Sequence, residues 1–258
     1  MTKSIHEIFE QIKKESEKDP NILGLVLGGS RGKGFYKEYS DYDFLVIVKE
    51  DVIKEYREKF EKYDEIKGID CGVKTIKEFE EHAEIGTEYE WDRYNYAHVQ
   101  TIKDKTNGEL QEIIDEKGKI PEKYWKGYVA GYLDGYINSV YRSLKSLRDN
   151  NHVGYRLEAA DSVRLFLICA FAFHDSRLSP YYKYLEYELE KFPLKKFPWS
   201  SKELIEMLFR IYETGDYQIQ QILLREMEKL ARKEGLGHVF DSWEGDEKWT
   251  MTFKPKND

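Results

Sequence analysis

The chain of 258 residues contains only two cysteines and six prolines, and no apolar run approaches the roughly 20 residues that a membrane span requires. Cys71 and Cys169 lie far apart, each in apolar sequence, which argues against a disulfide framework and suits a reducing compartment. The histidines His6, His82, His98, His152, His174 and His238 form no zinc-spaced pair and no visible nucleophile dyad. The opening stretch reads as an amphipathic helix without the apolar centre of a signal peptide, so a cytoplasmic location is expected. No internal repeat or low-complexity tract stands out. What remains is a chain that is 40% hydrophobic, enough for a core of ordinary size in a soluble globular enzyme.

Positive charge is relatively scarce in the first half. Residues 1–119 hold 20 basic and 28 acidic residues, while 120–258 hold 21 of each, so the front half carries the whole net charge of -8. An acidic surface attracts cations and repels a nucleic-acid backbone, which favours a cationic small molecule over RNA or DNA as a partner.

The periodicity changes once along the chain. Ile5, Ile8, Phe9 and Ile12 recur at helical spacing and stop before Asp19-Pro20. Ile22 to Leu27 and Phe44 to Val48 read as buried strands around a glycine-rich loop, Val52 to Tyr63 as a charged helix and Ile69 to Ile76 as a further strand. Phe79 to Trp91 reads as another helix and His98 to Ile102 as a short edge strand, with a turn at Asn107-Gly108. From Pro121 onward strand signals vanish. Long helical patterns cover 122–149, 154–174, 180–190, 201–213 and 218–233, and a tail with Trp243 and Trp249 covers apolar surface. The expected fold class is α+β: residues 1–119 form a small mixed sheet with flanking helices, and residues 120–258 form an all-helical bundle.

One segment concentrates chemistry. Gly28-Gly29-Ser30 is followed, after ten residues, by Asp41-Tyr42-Asp43 and the apolar run from Phe44 to Val48. Alternate residues of a strand share a face, so Asp41 and Asp43 present two carboxylates side by side. Two hard oxygen ligands suit Mg²⁺, which completes its octahedron with phosphate oxygens and water. The glycines allow close backbone approach, and the Ser30 hydroxyl with the loop amides suits phosphate oxygens. Other glycine-loop readings fail on spacing: a P-loop would need glycine where Leu27 stands and Ser or Thr where Gly34 stands.

At these residues the chain resembles the DNA-polymerase-β-like nucleotidyltransferase superfamily, whose signature is Gly-Gly or Gly-Ser, about ten residues, then Asp-x-Asp opening an apolar strand. Gly29-Ser30-Arg31-Gly32 with Ser40-Asp41-Tyr42-Asp43 looks most like the branch holding aminoglycoside and lincosamide nucleotidyltransferases and the minimal antitoxins. The resemblance implies transfer of a nucleotide monophosphate, AMP from ATP first among them, with Mg²⁺ or Mn²⁺ as metal and a small, antibiotic-like hydroxyl compound as acceptor. It places Asp41 and Asp43 on the metal and Gly29, Ser30, Arg31 and Ser40 on the nucleotide. Members of the superfamily usually add a third carboxylate, and Asp70 fits as metal ligand or general base, being acidic between apolar residues in a strand. Arg31 and Lys33 are candidates for positive charge near the loop.

The acidic run Glu78, Glu80, Glu81, Glu84, Glu88, Glu90 and Asp92 suits a solvated helix face or a rim for a cationic acceptor, with Glu88 the first candidate. The resemblance also implies that the helical half closes over the nucleotide and supplies basic residues, Arg164 and Lys183 being the nearest matches. Two other functions share this signature: modification of a protein or of tRNA ends, and regulation by nucleotide binding without turnover. The second is expected to lose an aspartate from Asp41-x-Asp43, and both are present.

Overall fold

The computed structural model describes residues 4–255, and the chain divides into two compact units meeting between Lys119 and Ile120. Helix α1 (Ile5–Lys18) opens the first unit on a reciprocal cap: the Ser4 hydroxyl accepts the Glu7 amide at 3.2 Å and the Glu7 carboxylate accepts the Ser4 amide at 2.7 Å. Two otherwise unpaired amides are satisfied at once. Strand β1 (Ile22–Leu27), a four-residue helix α2 (Gly29–Gly32), β2 (Tyr42–Val48), α3 (Ile53–Asp64), β3 (Ile69–Lys74), α4 (Ile76–Glu81), β4 (Thr101–Asp104) and α5 (Glu109–Lys117) follow.

The sheet is mixed, as the sequence predicts, in the order β3-β2-β1-β4. Strand β2 runs parallel to β3, while β1 runs antiparallel to β2 and β4. The period of two along β2 sorts its side chains between two cores. Tyr42, Phe44, Val46 and Val48 join Phe9, Ile12, Tyr56 and Phe60. Leu45 and Ile47 belong with Phe79, Leu110 and Ile114 on the other face. Asp43 therefore begins the row that continues as Leu45 and Ile47.

Three expectations change here. The helix expected over Phe79 to Trp91 is confined to Ile76–Glu81. Ala83 at φ 57° and Gly86 at φ 87° break it, and a 3-10 turn over Glu90–Tyr96 replaces its end. The carbonyls released from helical pairing are taken by buried cations: Lys117 Nζ donates to Glu80 and His82, and Arg93 donates to Ala83. The edge strand lies at Thr101–Asp104, because His98 at φ 63° is not extended. Helix α5 has no counterpart in the sequence reading. Its i, i+4 pair Leu110 and Ile114 is fully buried, behind a Gly108 N-cap at φ 100° that reads as a plain turn.

The second unit is built from helices α6 (Glu122–Arg148), α7 (His152–Ala172), α8 (Tyr182–Lys191), α9 (Ser201–Thr214), α10 (Tyr217–Lys233), α11 (Gly237–Asp241) and α12 (Asp246–Thr252). The two tail tryptophans both pack on Tyr141 of α6, with ring centroids 5.6 Å away in each case, and Trp243 Nε1 donates to Asp134 at 3.0 Å. Among the described residues no helix is long and apolar enough to cross a membrane.

Candidate functional site

Asp41 and Asp43 stand on either side of Tyr42, the first residue of β2. Tyr42 points into the core and is 5% exposed, so its neighbours turn the other way. Asp41 is exposed and Asp43 half-buried. In the parallel pairing of β2 with β3, Asp43 lies beside Asp70, and paired residues share a face. Two positions on, Leu45 and Gly72 repeat the arrangement: a Cβ on Gly72 would come 3.0 Å from Leu45 Cδ1.

The glycines bring the loop down on these carboxylates. The Gly28 amide donates to the Asp43 carbonyl at 2.7 Å, tying the end of β1 to the start of β2. Gly29 has φ 55°, and a Cβ there would fall 1.7 Å from Asp43 Oδ2. The Asp43 carboxylate thus sits against the bare Cα of Gly29, in a backbone conformation that favours glycine. Helix α2 begins at that point, and first-turn amides have no partner inside their own helix. Ser30, half-buried, is its second residue. Gly32 has a different task, since a Cβ there would lie 1.8 Å from the Leu27 carbonyl oxygen; it lets α2 pack on the end of β1.

Arg31 and Lys33 both serve the protein's own backbone. Arg31 Nε donates to the carbonyls of Ser40 at 3.0 Å and Asp41 at 3.1 Å, and its guanidinium carbon lies 4.0 Å from the centroid of the Tyr42 ring. That tie fixes the residues leading into Asp41. Ser40 accepts the Lys37 amide on its hydroxyl at 2.9 Å. Lys33 is 3% exposed, and its ammonium donates to the carbonyls of Tyr94, Asn95 and Ala97. A buried ammonium needs such acceptors, so Lys33 holds the 94–97 segment and does not face a phosphate. This corrects the expectation for Lys33.

Asp70 sits among negative charge. The residue is exposed on β3, and partial burial of its carboxyl, then the charges of Asp64, Asp92 and Asp41, push it above the usual carboxylate range. Crowded carboxylates of this kind suit a dication, which would relieve their repulsion. Among the described residues no three His, Cys, Asp or Glu side chains form a ready-made metal cluster. The donor set still fits magnesium, which is usually held by one or two carboxylates with water and substrate phosphate completing its shell. Asp41 and Asp43, with Asp70 beside them, are the residues that would hold it.

The acidic run divides. Glu78 closes the reciprocal cap of α4 with Thr75 and pairs with Arg57 at 2.7 Å. Glu90 accepts the Gly86 amide at 2.7 Å. Asp92 is bonded to His82 Nε2 at 2.7 Å and also accepts from Asn95. Glu80, Glu81, Glu84 and Glu88 are exposed, Glu88 in the irregular stretch after Gly86 and not on a helix. The His82–Asp92 pair is absent from the sequence reading, because the two residues stand ten positions apart and meet only when the helix breaks. In the second unit Arg164 and Lys183 are both exposed, on α7 and α8. Tyr182 is itself exposed, but partial burial of its hydroxyl raises it and Arg164 opposes that rise, so Arg164 lies within electrostatic reach of the start of α8.

Residues 7–103 match the family model of the nucleotidyltransferase domain. No curated protein matches the chain. Among solved structures, a nucleotidyltransferase-like protein from Exiguobacterium sibiricum 255-15 aligns at 9% identity over 96% of this chain and 78% of that one, with a TM-score of 0.43. A likeness at that level does not establish a shared fold. The family match covers the glycine loop, Asp41, Asp43 and Asp70, and it supports nucleotidyl transfer as the activity. Over that stretch the first unit of this chain is similar to the nucleotidyltransferase domain.

Proposed function

We propose that the protein transfers a nucleotide monophosphate, AMP from ATP as the first candidate, to a hydroxyl of a small cationic acceptor, with release of pyrophosphate. The observation that carries this reading is the Asp43 carboxylate held against the bare Cα of Gly29 while Asp70 stands beside it on the next strand. It supports the reading because a backbone open to phosphate and two carboxylates, Asp43 for the metal and Asp70 for the proton, lie at the same end of neighbouring strands. A bound Mg²⁺ or Mn²⁺ would supply charge neutralisation to the triphosphate and to the departing pyrophosphate. The chain's own groups do the rest. The α2 amides and the Ser30 hydroxyl donate to phosphate oxygens, and Arg31 keeps Asp41 in place from behind. Asp70 accepts the proton that the acceptor hydroxyl loses as it attacks the α-phosphate, forming the new P–O bond as the bond to pyrophosphate breaks. The exposed carboxylates of residues 80–88, Glu88 among them, favour a cationic acceptor over RNA.

The test is to incubate the protein with Mg²⁺ and each labelled NTP against panels of aminoglycosides and lincosamides, reading labelled product and pyrophosphate. One nucleotide should label at least one acceptor, and Asp70→Ala should lower turnover by about 10²–10⁴-fold with unchanged melting. Failure of every acceptor sinks the antibiotic reading. Full turnover in Asp70→Ala would move the base to the acidic run.

A further inference from the structure

The geometry points to Lys117 as a proton-operated strut at the joint between α4 and residues 82–97: charged, it strains the closed position of that segment, and uncharged, it locks the start of the segment down. Lys117 ends α5 and is 4% exposed. Its hydrogen-bond acceptors are two neutral carbonyls, Glu80 at 2.8 Å and His82 at 2.6 Å, and its ammonium lies 5.4 Å from the centroid of Phe79. Two further buried cations hold the segment: Lys33, on the carbonyls of Tyr94, Asn95 and Ala97 at its far end, and Arg93, also 4% exposed, which donates to Ala83 at 3.1 Å, Glu116 at 2.7 Å and Lys119 at 3.0 Å. Lys117 and Arg93 cross over: the one ending α5 takes carbonyls at the end of α4, and the one beyond α4 takes carbonyls at the end of α5.

Lys117, buried on two neutral carbonyls in the field of Arg93, is disfavoured in its charged form, and a lysine can lose its proton. An arginine does not, so the proton leaves Lys117. The facing carboxylates of Glu84, Glu116 and Glu80 pull the other way, but burial comes first and then Arg93, and Lys117 is brought down to about 8. The sign of the effect follows. When the segment lifts and water reaches Lys117, the lysine recovers an ordinary proton affinity, so the open form binds more protons than the closed one above pH 8. Closing is therefore favoured as pH rises through 8 and is weakest below it.

The segment matters because it carries His82 and Asp92, joined at 2.7 Å, and the charge of Asp92 reaches Asp70. Its effect on turnover rests on the proposed transfer reaction; the strut itself does not. Amide hydrogen exchange of the whole protein, read on peptides within 82–97 and corrected for intrinsic rates, tests it. Protection should rise about tenfold from pH 7 to pH 9, while peptides of α1 stay level. Lys117→Met should remove the pH dependence, and Lys117→Arg should keep protection low at both pH values. An unchanged or falling protection in the wild-type protein, or an equal rise in α1, overturns the strut. Because no nucleotide or acceptor is present, this outcome is independent of the transfer assay.

Discussion

Asp41→Asn combined with Asp43→Asn is expected to abolish metal-dependent NTP binding and to lower turnover by about a thousandfold or more. Asparagine keeps the size of the side chain and removes its charge, so the strand should pair as before. The variant should also tell binding apart from folding. Asp41 is one of the groups that push the Asp70 carboxyl upward, so removing its charge relieves repulsion in the metal-free protein. Without metal the double variant should melt at or slightly above the wild-type temperature. With Mg²⁺ and ATP, only the wild type should gain stability, as a ligand of the folded state requires. Calorimetric titration and thermal melting together check this. Wild-type metal-dependent binding in the double variant would place the nucleotide elsewhere on the chain.

The second large effect separates two glycines three residues apart. Gly29→Ala puts a methyl group where the Asp43 carboxylate now sits, at 1.7 Å from Oδ2, and forces an L residue to φ 55°. The backbone strain alone is about 1–2 kcal/mol, and the carboxylate must rotate away. Binding of the metal-nucleotide complex should be lost while the protein stays folded. Gly32→Ala meets the Leu27 carbonyl at 1.8 Å, which is backbone and cannot rotate aside. Overpacking of this kind costs about 1–3 kcal/mol or more, so Gly32→Ala should lower the melting temperature first and activity with it. Equal melting of the two variants, with equal loss of binding, would show that the glycines do not have separate tasks.

Much of the first unit was legible because its strands obey one period. Ile22–Leu27 is the predicted strand residue for residue, and the alternation along β2 that places Tyr42 inside also places Asp41 and Asp43 outside. The breaks came where long-range side chains decide the backbone. Nothing between Phe79 and Trp91 announces that Lys117, 35 residues after His82 and 37 after Glu80, will take the carbonyls at the end of α4. A helical reading of that stretch therefore ran on too far, and it hid the meeting of His82 with Asp92. Lysine in a glycine loop is exposed by default, so the burial of Lys33 had no signal at its own position; its partners are sixty-odd residues away. In the second unit the helices were readable from their apolar spacing, whereas the partners of Arg164 and Lys183 depend on surfaces that periodicity does not describe.

Lys33 has a mechanical consequence. It stands three residues after Ser30, and its ammonium is planted in the carbonyls of residues 94–97, directly beyond Asp92. The loop that would cradle phosphate and the segment 94–97 are thereby bolted through one side chain. On the proposed reaction, a substitution that loosens the chain around Tyr94 is therefore expected to change nucleotide affinity without touching the glycine loop itself.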